Sequence, residues 1–462
     1  MDGARGHSSK AIEGKQSVRI IFTILFAISL VPQAGIFAAQ RSVPETTPPS
    51  EEKVVPAFDP DAPPTTRIKL APFLTFGGKV ILEYEFEKNF DLKGARDDDL
   101  STLTPELSLA FSFDPAKNFQ AFLNAGLSRE IALEEGEERR KKERQVKLKL
   151  TEAFLLFRDL VGGQLSLQVG RQRFKDDREW LYDEKLEAVR VFSRVSDLSL
   201  ELSVSRKGVM DQDLLNGERK ERINNYLLYA RYALSKKVAI AAYSLVQDDR
   251  SAERERPIFF GLHSSGEIID DLDYWFELAH VRGRDGSKKI RGMGLDLGSI
   301  YQFNLSLKPS LAVGYAFGTG DADPKDQVDK SFRQTGLQGN SDKFNGVTRF
   351  KYYGELFDPE LSNLSIFTSG IGIRPTRRSS IDLVYHYYLQ DKASKRIRDS
   401  EIDAKPTGLS RKLGSEIDLV AGYREIQNVD VKLVLGYFIP GQAFPTEADS
   451  AFFANLKIQF SF

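Results

Sequence analysis

From Leu74 to the end of the chain, apolar and polar side chains alternate with a period of two, in segments of roughly ten residues separated by turn residues. In FGGKVILEYEFEK, Val80, Leu82, Tyr84 and Phe86 share one face, with Lys79, Glu83, Glu85 and Glu87 mostly on the other. In LSLELSVS, Leu198, Leu200, Leu202 and Val204 oppose Ser199, Glu201, Ser203 and Ser205; in PSLAVGYAFG, Leu311, Val313, Tyr315 and Phe317 oppose Ser310, Ala312, Gly314 and Ala316. SIDLVYHYYLQ, GSEIDLVAGYR and VKLVLGYFI repeat the pattern. Strands of this length, wetted on one side only, are those of a barrel with lipid outside and water inside. A soluble β-sandwich also alternates, but its strands are usually shorter.

The N-terminus supports a membrane destination. Arg5, Lys10, Lys15 and Arg19 precede the apolar run IIFTILFAISLV, and small residues follow in VPQAGIFAAQ. These are the parts of a secretory signal peptide, expected over residues 1–39 with cleavage near Ala39. Residues 40–67 are rich in proline and poor in aliphatic side chains, the composition of a disordered periplasmic tail, and the barrel is expected over 68–462. No other stretch reaches the about 18 apolar residues of a helical span, so a membrane-embedded mature chain must be a barrel.

Composition removes several functions. The net charge is −1, which gives no basic face for nucleic acid. With no cysteine and only His7, His263, His280 and His386, none in an HExxH pair, neither a metal site nor any other cofactor is called for.

Parity sets the strand count. Short connections (DPAKN after Phe113, SKK after Leu234, TRRSS after Pro375, EIQNVD after Arg424) alternate with long polar ones such as EEGEERRKKER, residues 321–363 and residues 391–410. Short periplasmic turns, long external loops and two periplasmic termini thread the chain as about 18 antiparallel strands. The thread places FKYYGELFDPELSN in the external loop. That loop is long for a structureless connector and carries Phe332, Phe344, Phe350, Tyr352 and Tyr353, so it is expected to pack on or into the mouth as a lid. Glu152 to Phe157 and Val238 to Val246 alternate poorly.

The stretch LQVGRQRFKDDREWLYDEKLEAVRV concentrates charge. Arg171 and Arg173 share a face of one strand, the next strand carries Glu187 and Arg190, and Asp176, Asp177, Asp183 and Glu184 lie on the connection. Arginine presents a permanent charge and a planar fork to carboxylates, so a channel wall bearing it suits a carboxylated ligand; mutual pairing of these charges is the competing reading. Val169 and Gln172 do not settle the facing, which leaves room for a local bulge. By alternation Lys147, Lys149, Arg231, Arg424 and Lys457 face inward, but so do Glu83, Glu85, Glu87, Glu201, Asp296 and Glu416.

The segments VGRQRFKDDREWLYDEKLEAVR, GYAFGTGD, SFRQTGLQGNSDKFNGVTRFKYYGELFDPELSNL and SSIDLVYHYY occur in an order that resembles the alginate-export outer-membrane proteins. The resemblance implies a monomeric 18-stranded barrel of the outer membrane, with an electropositive constriction through which a nascent polyuronate leaves the cell. It implies pore-lining roles for Arg171, Arg173 and Arg190, and it places Arg349 and Lys351 in the matching long loop. The C-terminal SAFFANLKIQFSF sets Phe452, Ala454, Leu456, Ile458, Phe460 and Phe462 on one face, and resembles the signal by which the barrel-assembly machinery takes up its clients.

The functional expectation is a passive exporter of an anionic exopolysaccharide, fed from the periplasm by a synthase or scaffold. No GxxxxGK[ST] pattern is present to power it. An uptake porin for small solutes is the alternative, since the fold permits both. A hydrolase would need a nucleophile beside a base, and His386 has no serine that the sequence places near it.

Overall fold

In the computed structural model the described residues are 58–462, apart from 137–144, 209–212, 216–221 and 251–254. The expected signal peptide over residues 1–39, residues 40–57 and the charged centre of EEGEERRKKER lie outside them. Eighteen strands form one closed antiparallel barrel. Along the chain they are β1 (Leu74–Lys88), β2 (Leu100–Ala116), β3 (Phe119–Arg129, continued by Ile131–Glu135), β4 (Val146–Asp159), β5 (Leu165–Lys175), β6 (Asp183–Val195), β7 (Leu198–Lys207), β8 (Ile223–Ala233) and β9 (Val238–Asp249). They continue as β10 (Glu255–Ile269), β11 (Leu272–Asp285), β12 (Lys288–Gln302), β13 (Ser310–Gly318), β14 (Leu364–Thr376), β15 (Ser379–Gln390), β16 (Lys412–Tyr423), β17 (Val429–Pro440) and β18 (Ala451–Ser461).

Consecutive strands pair, and β1 meets β18 from Lys79↔Ser461 to Lys88↔Phe452, which leaves the sheet no free edge. FKYYGELFDPELSN does belong to the loop between β13 and β14.

The faces follow the expected alternation. Leu200, Leu202 and Val204 are exposed on the outside of β7, whereas Glu201, Ser203 and Ser205 are buried inside. On β13, Leu311 and Val313 point out while Ser310, Ala312 and Ala316 point in. Such a belt of exposed aliphatic side chains is stable only against hydrocarbon.

Irregular alternation also has a cause. On β9 the inward Ala239, Ala241, Tyr243 and Leu245 are buried, and Tyr243 and Leu245 belong to one apolar cluster with Trp180 and Phe332 inside the barrel. On β15 to β17, Val384, Val420 and Val434 point inward at full burial. One sector of the wall is therefore apolar on both faces, because protein rather than water fills the lumen beside it.

The tail boundary needs correction. Residues 58–67, which the composition assigns to a disordered tail, lie against the barrel and within it. Ile68–Ala71 pairs with the start of β1, and Phe58 is buried at 3% exposure, bridged to Thr348 of the long loop. Composition reports how little a segment can bury by itself; here the surface it lies on is supplied by the barrel.

Candidate functional site

The site begins with a break in the wall. The β4–β5 ladder runs only from Phe157↔Leu167 to Ala153↔Arg171, and beyond it Lys149 of β4 bridges to Asp213 instead. The ladder ends one residue past Gly170, whose φ of +126 and close approach to the Ala153 carbonyl leave no space for a side chain. This is the irregularity that Val169 and Gln172 foreshadow. Past it, the tip of the β5–β6 hairpin turns into the lumen. The Asp176 carboxylate closes that tip by accepting the backbone N–H groups of Trp180, Leu181 and Tyr182 at 3.2, 3.1 and 2.9 Å.

The hairpin tip meets the lid. Residues 319–363 fold into the barrel, with Phe332, Phe344, Phe350, Tyr352, Tyr353 and Phe357 all at 3% exposure or less. Trp180 stacks on Phe332 at 6.0 Å, Phe344 on Trp275 of β11 at 6.0 Å, and Phe357 on Phe438 of β17 at 5.2 Å. Wall carboxylates hold the lid too: Glu416 accepts the N–H groups of Leu356 and Phe357 at 2.7 and 3.0 Å, and Asp296 accepts the Tyr353 hydroxyl at 3.1 Å.

Arg178, which sequence reasoning missed, joins all three parts. Its guanidinium lies 4.3 Å from the Trp275 ring and 4.2 Å from the Tyr352 ring, and it pairs with Asp296 of the wall and Asp342 of the lid at 3.2 and 3.4 Å. Arg333, also missed, pins the start of the lid to Glu255 and Asp285 at 3.0 and 3.3 Å.

Among the described residues, two cavities of the lumen hold the charged side chains at issue. The larger, of about 580 Å³, is lined by Arg173, Asp183, Glu184, Lys185, Arg349, Lys351, Lys432 and Lys457, and by Glu83, Glu85 and Glu87 of β1. Its carboxylates outnumber its cations, and most cations there are paired: Arg349 with Glu179 at 3.1 Å, Lys351 with Asp358 at 3.0 Å, Lys432 with Glu355 at 3.1 Å and Lys457 with Glu83 at 3.0 Å. The smaller, of about 150 Å³, has Lys79, Lys149, Lys185 and Lys457 in its wall against Glu83 and Glu106. With Asp61 counted, four lysines stand against three carboxylates in the smaller cavity, whereas carboxylates predominate in the larger one.

The expected pore-lining residues separate into groups. Arg173, Asp183, Glu184, Lys149, Arg349 and Lys351 line a cavity. Arg171 does not line either one: it is buried against Glu187. Arg190 is bound at both ends of its fork to Glu201, each at 2.8 Å, with its guanidinium 4.0 Å from the Phe174 ring. Lys147 faces the same way as Lys149 but lies outside both cavities, Asp177 is exposed and only its carbonyl accepts from Arg349, and Arg231 sits exposed at the periplasmic end of β8. His386 bonds Thr368 at 2.9 Å and lies 3.5 Å from Asp418, completely buried and lining neither cavity.

Between the cavities lies the N-terminal segment. Pro60 and Asp61 line both of them. The Asp59 carboxylate accepts from Arg173 Nη1 at 3.0 Å and from Lys175 Nζ at 2.6 Å, and Lys79 Nζ donates to the carbonyls of Pro60 and Ala62. Burial works to raise the Asp59 pKa, but Arg173 and Lys175 overcome it and hold the group well below the usual carboxylate range. Asp61 is enclosed by the barrel yet faces open lumen; enclosure opposes its ionisation, and Lys457, Lys185 and Arg173 together lower its pKa.

Residues 73–453 match the model of the alginate export family. The chain belongs to the alginate export family. It is a β-barrel channel of the bacterial outer membrane. Among relatives of this alginate export protein, the alginate production protein AlgE of Pseudomonas aeruginosa is 24% identical over 340 residues, 62% of this chain and 68% of that one. AlgE of Azotobacter vinelandii is 30% identical over 160 residues, 30% of this chain and a third (33%) of that protein. Solved barrels share the fold at much lower identity: Acinetobacter baumannii OccAB4, with a TM-score of 0.56 at 11% identity over 85% of this chain and 99% of that one, and Pseudomonas aeruginosa OpdQ, with 0.56 at 10% over 86% and 99%.

Proposed function

We infer that this alginate export protein is a passive outer-membrane channel through which an alginate-like polyuronate leaves the cell, its carboxylates drawn through the lysine-lined constriction. The observation that carries this reading is the smaller cavity, where four lysines face Glu83 and Glu106 of the wall and Asp61 of the N-terminal segment, in an enclosed space that focuses their field. Among the described residues Lys149 and Lys185 have no ion-pair partner, so their charge is available to a passing anion. The chain is expected to receive polymer from a periplasmic scaffold of a secretion complex. The terminal alternation supports insertion through the barrel-assembly machinery, since the backbone of Phe462 exchanges two 2.9 Å hydrogen bonds with Gly78 and so seals the β1–β18 seam.

Single barrels in planar bilayers test the reading. Polyuronate oligomers added to the periplasmic side are expected to interrupt the current, and a neutral glucan of equal length is expected to do so at least about tenfold less effectively, a discrimination of about 1.4 kcal/mol. Because fixed lysines supply the preference, it should weaken as salt rises. Equal block by the two polymers at low salt would favour a general uptake porin.

A further inference from the structure

The N-terminal segment enters the lumen and sets its carboxylates against the cations that the channel offers to polymer. We propose that residues 58–62 are an internal pseudo-ligand, a plug whose Asp59 and Asp61 occupy the carboxylate subsites of the constriction until an incoming polyuronate displaces them. The proposal rests on the export reading above and assigns two subsites within it: Arg173 with Lys175, held by Asp59, and Lys185 with Lys457, which line both cavities together with Asp61.

Three observations carry it. First, the plug is held chiefly by charge. Asp59 makes two ion pairs, and Lys79 grips the Pro60 and Ala62 carbonyls, whereas Phe58 alone of residues 58–62 is a buried apolar side chain. Contacts of this kind exchange readily for those of another polyanion. Second, residues 59–62 form a turn, closed by the Ala62 N–H on the Asp59 carbonyl at 3.2 Å and the Asp61 N–H on the Asp59 carboxylate at 3.1 Å, and the turn places both acidic residues in the lining of the larger cavity among the channel's cations. Third, the segment is tethered at one end and docked at the other. Ile68–Ala71 is paired to β1, while Phe58 donates its N–H to the Val347 carbonyl at 2.8 Å and accepts from Arg349 N at 3.3 Å, both in the lid. Displacing the plug therefore pulls on the lid, which couples arrival of polymer to opening.

The experiment compares the full chain with two variants in planar bilayers. D59N/D61N keeps the segment but removes its charge. F58C/T348C joins the bridged pair in a chain that has no other cysteine. For D59N/D61N we expect small-ion conductance to rise several-fold and the half-blocking polyuronate concentration to fall about tenfold, the gain expected if the plug fills the subsites nine-tenths of the time. For oxidised F58C/T348C we expect little conductance and no polymer entry, both restored by reductant. If D59N/D61N and the oxidised pair both conduct as the unmodified chain does, the plug is refuted while the export reading stands. If conductance rises in D59N/D61N with the half-blocking concentration unchanged, the segment is a seal that shares no subsite with polymer, and the proposal fails. Absence of polyuronate block in every variant would overturn the export reading, and this proposal with it.

Discussion

Replacing Arg178 with alanine is expected to turn a channel that conducts only part of the time into one that conducts steadily. The guanidinium lies between the Trp275 ring of the wall and the Tyr352 ring of the lid, and bridges Asp296 to Asp342. Removing one partner of a buried charge pair costs about 3–5 kcal/mol, because the remaining charge loses its compensation in a medium that solvates it poorly. Asp296 keeps the Trp275 indole N–H at 2.8 Å and the Tyr353 hydroxyl, so the wall stays intact and the loss falls on the docking of the lid. A shift of that size changes the closed-to-open ratio by more than about a hundredfold. The barrel itself is held by a closed ladder of strands and should remain heat-modifiable and folded. A folded Arg178→Ala barrel with the conductance of the unmodified chain would show that the lid does not control the pore.

Arg173→Gln is expected to move two readouts in opposite directions. Arg173 lines the larger cavity, binds Asp183 at 2.7 Å and shares Asp59 with Lys175. Without it the plug loses one of its two cations, so small-ion conductance should rise, while the Asp183 carboxylate is left facing the lumen and ion preference should move toward cations. Polyuronate block should weaken by about tenfold, the effect of losing about 1.4 kcal/mol of attraction at a single site. Arg171→Gln provides the contrast. Arg171 pairs with Glu187 away from both cavities, so its substitution should lower stability and leave ion preference and block as they were. Bilayer recordings of the two variants decide the matter, and equal shifts in both would contradict the placement of these arginines.

Much of the barrel was legible because lipid and water impose opposite demands on alternate residues. The period of two, the alternation of short and long connections and the demand that no strand edge be left open suffice for the 18 strands and for the exclusion of 350–363 from the wall. The lid was legible from its aromatic density. What alternation could not supply is where it breaks. Val169 faces lipid, and simple counting would put Arg171 and Arg173 there too; the positive φ at Gly170 turns the hairpin inward, and this depends on the β4–β5 ladder ending early. Charge alone could not distinguish Arg173, which meets a cavity, from Arg190, which is bound at both ends of its fork to Glu201.

The inward carboxylates were equally ambiguous. Glu201, Asp296 and Glu416 count against a positive lumen on paper, yet Arg190 binds the first and the lid and its hairpin hold the other two. The plug was hidden for a different reason. A proline-rich, weakly apolar segment has no local signal of order, and its partners Lys79, Arg173, Lys175 and Thr348 are scattered over nearly three hundred residues of sequence. Asp59 and Asp61 could be recognised only after the barrel had brought those partners together.

Passage of an anionic polymer through this barrel is the claim on which the rest depends, and release from sealed vesicles tests it most directly. Vesicles loaded with fluorescent polyuronate or with a neutral glucan of the same length, and carrying the full chain, should lose the polyuronate over time and retain the glucan, with Arg178→Ala accelerating the loss. Retention of both polymers, or release of both at the same rate, would contradict the account.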